Sequence, residues 1–191
     1  LGTAGLAGRL RCGDAAPVYH AGHFSRQPRS AECLRTILAD AFGIDVAVEQ
    51  FVGRWLVLQP ADQTRLASAA APRGTHARLG ADAFVGERAW NVDASFAVRV
   101  GPMSERDFRA WLPGGGRLEA FGDIVRLYVG PAFEIVVRPI LLAAEVPETR
   151  LGGPAEQPDG LPVGSLLGRT TWLRSQPRNT DADDARFTIT S

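Results

Sequence analysis

The residues best suited to bind a metal lie near the start of the chain. His20 and His23 have the spacing of a metal half-site, and Cys12 and Cys33 flank them. Structural zinc sites usually contain cysteines paired closely along the chain, and the pattern Cys-x7-His-x2-His-x9-Cys does not. We therefore expect ordinary surface histidines ahead of the first long helix and no bound metal.

Three further motifs each lack a residue that their chemistry requires. The glycines at positions 114–116 could cradle phosphate before a helix, but no Lys-Ser/Thr pair follows them and no strand precedes them. Ser165 lacks the flanking glycines of a nucleophile elbow. Asp181, Asp183 and Asp184 lack the glycine and distal glutamate of a calcium loop, so we expect a solvated acidic turn. The sequence predicts no catalytic residue and no cofactor.

The charge balance argues against electrostatic binding of nucleic acid. The chain has 191 residues, and 21 acidic residues offset 21 basic ones, all of which are arginine. A neutral protein has no overall field that attracts phosphate, so only a local arginine patch could bind it. Two alternatives stay open: an arginine-based nucleic-acid-binding module, and a small metal-dependent hydrolase that uses His20, His23 or His76.

Length and composition limit the cellular setting. A chain of this size can bury about 70% of its unfolded surface in a compact domain. No run approaches the roughly 18–20 apolar residues of a membrane span, and no signal peptide is evident, so we expect no direct membrane insertion. The two separated cysteines predict a reduced, cytoplasmic protein. The start at Leu1 and the single Met103 predict a fragment of a longer chain.

The elements that must position any site begin with a helix and a strand. Ser30 is a good N-cap and Gly43 a good stop for a helix whose apolar residues recur at helical spacing. Residues 44–49 alternate as in a half-buried strand, and the period breaks at Gln50 and Phe51. Residues 61–80 predict a surface loop with a short helix near residues 62–70.

The second half of the body continues with strands and helices. An alternating strand over residues 96–100 ends at Gly101 and Pro102, and Ser104 with Asp107 predicts a helix start. Two short helices follow, then a strand over residues 133–138 with Phe133 facing inward, and Pro139 predicts a sheet edge or bulge. The order predicts an α+β fold with a mostly antiparallel sheet and segregated helices, distantly ferredoxin-like.

The sequence predicts four segments. Residues 1–24 form an N-terminal segment and residues 25–147 the α+β body. Residues 148–175 are rich in glycine and proline and predict an extended arm that ends in an apolar Trp-Leu patch. Residues 176–191 form a tail with a short β-like finish.

Large apolar and arginine residues remain without a chemical role, and such residues are enriched at protein interfaces. We expect Trp111 to lie in the core and Trp172 at an interface. The candidate interface residues are Phe51, Arg54, Trp55, Trp90, Leu166, Leu167, Arg169, Trp172 and Leu173.

Several sequence runs, taken in order, resemble one family. They are QPRSAE at 27–32, VEQFVGRWL at 48–56, LG at 79–80, GERAW at 86–90, VGPMS at 100–104, WLPG at 111–114, VRLYVG at 125–130, LG at 151–152 and LGRTTWL at 167–173. These runs look like the TssG (ImpH/VasB) family of type VI secretion baseplate proteins. The similarity covers about residues 17–175.

The resemblance implies a scaffold without enzymatic activity. It implies a wedge subunit that joins TssF and offers extended arms to TssK, with TssE and the sheath as further candidate partners. The subunit would link the cytoplasmic contractile tail to the complex at the inner membrane. On this reading the α+β body packs against TssF, and residues 151–173 reach a TssK-type partner.

Overall fold

The structure is a computed structural model that describes residues 8, 10–69, 71–147, 168–172 and 178–189. The chain forms two compact units, a larger one of Leu1–Gln50 with Phe96–Ser191 and a smaller one of Phe51–Ser95. The elements in chain order are α1 (Ala15–Tyr19), α2 (Ala21–Ser25), α3 (Ala31–Phe42), β1 (Val46–Glu49), β2 (Arg54–Val57), β3 (Arg88–Asn91), β4 (Ser95–Met103), α4 (Glu105–Ala110), α5 (Gly116–Val129), β5 (Glu134–Leu141), a 3-10 turn (Ala143–Glu145) and β6 (Phe187–Ile189).

The first long helix begins and ends as its sequence predicts. The Ser30 hydroxyl accepts a hydrogen bond from the Cys33 amide at 3.2 Å, which satisfies one of the amides that the first turn leaves free. Gly43 has the left-handed conformation, with φ 61°, that ends many helices. Leu34, Ile37 and Leu38 form the buried face of α3.

Four strands form the sheet of the larger unit in the order β1-β4-β5-β6. The pairs β1–β4 and β5–β6 are antiparallel. β4 and β5 run in the same direction, because the Phe96 and Phe133 rings are 6.1 Å apart at their starts and the Leu142 amide donates to the Met103 carbonyl at their ends. The helices α4 and α5 connect these two parallel strands. The predicted α+β class with a mostly antiparallel sheet is confirmed.

The core of the larger unit lies between the sheet and its helices. Its largest fully buried side chains include Trp111, Tyr128, Phe108 and Phe121, so the prediction of a core Trp111 is confirmed. The strand predicted at 96–100 is present as part of β4, and its burial alternates only in part, because Ala97 is buried while Arg99 on the same face is 39% exposed. β4 also continues past Gly101 to Met103.

The structure also tests the expectations for Pro139 and Phe133, which lie in and just before β5. Pro139 lies within β5, beyond the three positions at which β6 pairs with it, so its missing N–H removes no bond of that ladder. Phe133 precedes β5 and is 37% exposed, so the prediction that it faces inward is wrong. The two predicted short helices are present as α4 and α5.

The smaller unit consists of the antiparallel β2–β3 pair and a long connection between these strands. The short helix predicted near residues 62–70 is absent from the described positions 62–69. Arg65 and Thr75 instead exchange two backbone hydrogen bonds, at 2.8 and 2.9 Å. Gly74 allows this close approach, because a Cβ there would lie 2.5 Å from the Arg65 carbonyl oxygen.

The smaller unit lacks a core of its own. Across its described residues no large apolar side chain is buried, whereas the core of the larger unit contains residues from every one of its longer elements. None of the helices in the described ranges has both the length and the apolar character needed to cross a bilayer.

Candidate docking surface

The β2–β3 ladder places two tryptophans directly opposite each other. Trp55 pairs with Trp90, and Val57 pairs with Arg88. Because side chains alternate along a strand, these four residues share one face, and all four are exposed. We call this surface the tryptophan face. The other face carries half-buried side chains, those of Arg54, Leu56, Ala89 and Asn91.

The two indoles of the tryptophan face contact each other edge to face. Their ring centroids are 5.3 Å apart with an interplanar angle of 65°, a geometry that aromatic pairs prefer. Trp55 is nevertheless 59% exposed and Trp90 is 56% exposed. Neither indole N–H has an acceptor among the residues that the structure describes.

Gly53 sets the position of the Trp90 ring. A Cβ at residue 53 would lie 2.0 Å from Cζ2 of Trp90, so the indole packs directly on the glycine backbone. Any larger residue at this position would push the ring away. The Gly53 and Trp55 of the sequence run at 48–56 therefore act together in positioning the pair.

Backbone hydrogen bonds close both ends of the ladder. The Val52 amide donates to the Ser95 carbonyl at 3.3 Å, and the Leu58 amide donates to the Glu87 carbonyl at 2.9 Å. The Asn91 side chain accepts from two amides of the following turn, at 2.9 and 2.8 Å. The backbone beneath the tryptophan face is therefore fixed beyond the four paired positions.

Further apolar side chains and a depression adjoin the tryptophan face. Phe51 is 69% exposed and has a positive φ of 59°, a conformation that is rare for a bulky residue. An open depression of ≈ 400 Å³ is lined by Trp55, Val85, Gly86, Glu87 and Arg88. One acid and one base lie in this lining, so the surface has no net charge. The arrangement suits an uncharged, largely apolar partner.

The structure separates the predicted interface residues into three groups. Phe51, Trp55 and Trp90 are exposed in the smaller unit, while Arg54 lies on the half-buried face of the ladder. Arg169 is exposed. Leu166, Leu167 and Leu173 lie outside the described residues.

Trp172 is not exposed, so the prediction of an open Trp-Leu patch is wrong at this residue. Its side chain is 7% exposed and packs on Phe108 of α4, with ring centroids 5.8 Å apart. The indole Nε1 donates to both carboxylate oxygens of Asp184, at 3.1 and 3.0 Å. Burial is favourable because the polar atom of the ring keeps a charged acceptor.

The three aspartates at residues 181–184 each contact another segment of the larger unit. Asp184 accepts from Trp172, and Asp181 accepts from the Ala143 amide at 2.8 Å. Asp183 pairs with Arg138 at 3.2 Å. Asp181 and Asp184 are nevertheless exposed and the Asp183 side chain is 49% exposed, so the acidic turn is solvated as expected, and its carboxylates also hold residues 181–184 beside the sheet.

Arg138 is the centre of an ionic cluster that the sequence did not reveal. Its guanidinium contacts Glu49 at 3.1 Å and Asp183 at 3.2 Å, and its side chain is 18% exposed. Arg99 lies beside the same two carboxylates at 3.6 and 3.8 Å. The alternation of β1 and β5 is the sequence signal, because it places Glu49 and Arg138 on the face opposite their buried neighbours.

The candidate metal and nucleophile residues do not form a site. No group of three or more His, Cys, Asp or Glu residues in the described part of the chain could hold a metal. His20 is buried beside Asp40, with Nε2 3.3 Å from Oδ2, so the expectation of a surface histidine is wrong there. Both cysteines are free, and burial raises the pKa of the Cys12 thiol, which disfavours the reactive thiolate.

Within the residues that the structure describes, at least seven of the 21 arginines form ion pairs with carboxylates, namely Arg11, Arg35, Arg78, Arg99, Arg109, Arg117 and Arg138. A paired guanidinium must lose its partner before it can bind phosphate. These ion pairs therefore reduce the positive charge that is available to nucleic acid.

Comparisons with known proteins agree with this fold. A family model described as Type VI secretion, TssG, matches residues 1–174. A chain from the cryo-electron microscopy structure of the type VI secretion system TssK-TssF-TssG baseplate subcomplex has a TM-score of 0.65 and 18% identity, over 91% of this chain and 69% of that chain. A chain from the baseplate complex of the type VI secretion system has a TM-score of 0.58 and 17% identity, over 96% and 47%. Among curated proteins, none matches.

The matched family model defines the class of protein as a type VI secretion component, and the fold is similar to that of the baseplate chains. The family model covers most of the chain, including the β2–β3 ladder and the helices α4 and α5. The chain therefore belongs to the TssG family.

Proposed function

We propose that this chain is a structural wedge subunit that holds other baseplate proteins together without catalysing a reaction. The observation that carries the proposal is the tryptophan face, a rigidly positioned aromatic surface in a chain of the TssG family. Exposed aromatic pairs of this kind are typical anchors of protein interfaces. The subunit would act in the cytoplasm, in a baseplate docked at the inner membrane complex.

In this proposal the two regions bind different partners. The tryptophan face binds TssF, and the arm at 148–175 binds TssK with Leu166, Leu167, Arg169 and Leu173. TssE and the sheath would be reached through the assembled wedge. The similar solved structure is one of a TssK-TssF-TssG subcomplex, which supports this choice of partners.

Two contacts to α4 flank residues 148–167. Before these residues, the Glu145 carboxylate accepts from the Glu105 amide at the start of α4, at 2.6 Å. Within the arm, Trp172 packs on Phe108 of the same helix. Trp172 is therefore left out of the proposed TssK contacts.

Co-expression of the chain with TssF and TssK tests the proposal. A double Trp55→Ala, Trp90→Ala variant should lose TssF from the purified complex and keep TssK. A Leu166→Ser, Leu167→Ser, Leu173→Ser variant, which spares Trp172, should lose TssK and keep TssF. Leu79→Ala is the matched control, because Leu79 is 96% exposed and lies off the tryptophan face. Retention of both partners by both variants would contradict the proposal.

A further inference from the structure

The smaller unit is held together by hydrogen bonds and not by an apolar core. Among its described residues, Ser95 alone is buried. Its long connection is ordered by bonds such as the two that Arg65 and Thr75 exchange at 2.8 and 2.9 Å. A hydrogen bond that replaces one with water adds little net stability, whereas burial of apolar surface is the main favourable term in folding. The smaller unit therefore gains much less free energy on folding than the larger unit does.

The β2–β3 ladder is costly to form because its two strands lie far apart in the sequence. Residues 58–87 connect the strands, and four residue pairs form between them. Closure of a long loop costs entropy, and an isolated pair of strands is marginally stable in water. Phe51 adds to this cost, because the formed unit holds it at a φ of 59°, in a region that a bulky residue enters only at an energetic penalty.

The chain connections allow the smaller unit to open while the sheet of the larger unit stays paired. Residues 51–95 lie between β1 and β4, and these strands pair with each other up to Glu49 and Ala97. Within the smaller unit, the Ser95 hydroxyl donates to the Val52 carbonyl, and the Val52 amide donates to the Ser95 carbonyl at 3.3 Å. If these bonds break, the segment becomes a loop whose base is still closed by the β1–β4 pair.

We infer that residues 51–95 open and close as one cooperative unit while the larger unit stays folded, and that the Val52–Ser95 contact holds the unit closed. The tryptophan face exists only in the closed form, because the register of β2 with β3 places Trp55 opposite Trp90. A partner that binds this face shifts the unit to the closed form, and its apparent affinity is lowered by the fraction that is open. The opening goes beyond the proposed function, whereas the effect of a partner on it rests on that function.

Hydrogen exchange of the full chain, followed by mass spectrometry, tests the inference. Where opening and closing are faster than exchange, the exchange rate of an amide reports the fraction of time for which it is open. After correction for intrinsic rates, the amides of β2 and β3 should exchange about a hundredfold or more faster than those of β5 and of residues 96–103. Equal protection in the two units would overturn the inference.

Two serine variants, one in each unit, show whether the opening is local. Ser95→Ala removes the hydroxyl bond to Val52 and should speed exchange in β2 and β3 about fivefold, with β5 unchanged. An unchanged rate would overturn the role of the Val52–Ser95 contact.

Ser104→Ala is the matched control, because it removes the cap of α4 in the larger unit. It should speed exchange in β5 about fivefold and leave β2 and β3 unchanged, since the smaller unit opens without unfolding of α4. If β2 and β3 accelerate as much as β5 in this variant, they open only by global unfolding, and the inference is wrong.

Addition of TssF separates this inference from the proposed function. TssF should slow exchange in β2 and β3, because it binds the closed form. Fast local exchange in the free chain that TssF does not slow would support the opening and contradict the assignment of the tryptophan face to TssF. Slowing by TssF without the difference between the two units in the free chain would keep the docking role and overturn the inference.

Discussion

The two units use the same residue type in opposite ways. Each contains two of the four tryptophans: Trp111 and Trp172 in the larger unit are buried, whereas Trp55 and Trp90 in the smaller unit are exposed. The larger unit has a sheet with helices packed against it, while the smaller one has two strands and no layer of its own to cover them. A short segment cannot enclose large side chains, so its aromatic residues are available for a partner.

The strongest test of this contrast is the removal of one tryptophan from each unit. Trp111→Ala should lower the free energy of unfolding by about 3–5 kcal/mol, because it leaves a cavity in a fully packed core. Trp55→Ala should cost less than about 1 kcal/mol, because its ring is already in water. Urea denaturation of both variants measures the difference. Equal losses would mean that the tryptophan face stabilises the fold as the core does.

A second prediction concerns the polar anchor of a buried tryptophan. Asp184→Ala should destabilise the chain by about 1–3 kcal/mol, because the Trp172 N–H would stay buried without an acceptor. Asp184→Asn is the matched variant and should cost less, since the amide keeps one acceptor oxygen. The measurement is thermal unfolding followed by circular dichroism. If both substitutions have no effect, Trp172 does not depend on this carboxylate.

A smaller effect is expected at the N-cap of α4. Ser104 accepts from the Asp107 amide at 3.2 Å, so Ser104→Ala should cost about 1 kcal/mol. Ser104→Asp, which preserves a capping oxygen, should recover most of this loss. Chemical denaturation compares the three proteins, and an alanine variant as stable as the parent would show that the cap is dispensable.

The smallest effect on stability is expected at Gly53, where the spectroscopic change should be clear. Gly53→Ala should displace the half-exposed Trp90 ring at a cost near 0.5–1 kcal/mol, because the ring can move into solvent. The Trp90 indole N–H signal should shift, and that of Trp111 should not. Gly22→Ala is the control, because nothing lies within 4 Å of a Cβ at residue 22. An unchanged Trp90 signal would contradict the close packing on Gly53.

Local signals predicted α3, α4, α5 and most strands, but they did not predict α1 or α2, and they predicted a helix near residues 62–70 that is absent from the described positions 62–69. The α3 helix follows from its N-cap Ser30, its C-terminal Gly43 and the helical spacing of its apolar residues. Each of these signals depends only on residues that are close in sequence. The strand at 46–49 and the break at Phe51 also follow from local pattern. The family resemblance added the baseplate class, which no single catalytic or binding motif in the sequence could provide.

The errors concern residues whose surroundings come from distant parts of the chain. Trp172 looks like an exposed tip until Phe108 and Asp184 are placed beside it. β4 alternates only in part, because Ala97 is buried on the face where Arg99 lies beside Asp183. Trp55 and Trp90 were named as candidate interface residues, whereas Val57 and Arg88 were not, because the direct pairing of the two strands depends on a register between segments far apart in sequence.

The ionic cluster around Arg138 affects the register in which β1 pairs with β4. Val46 and Val48 face the helices, and Glu49 faces the cluster. A shift of β1 by one residue would exchange these faces, placing the Glu49 carboxylate in the apolar core without a cation. Ion pairs of this partly exposed kind add little to stability. Their effect here is to make the neighbouring alignments unfavourable, so that β1 pairs with β4 in a single register.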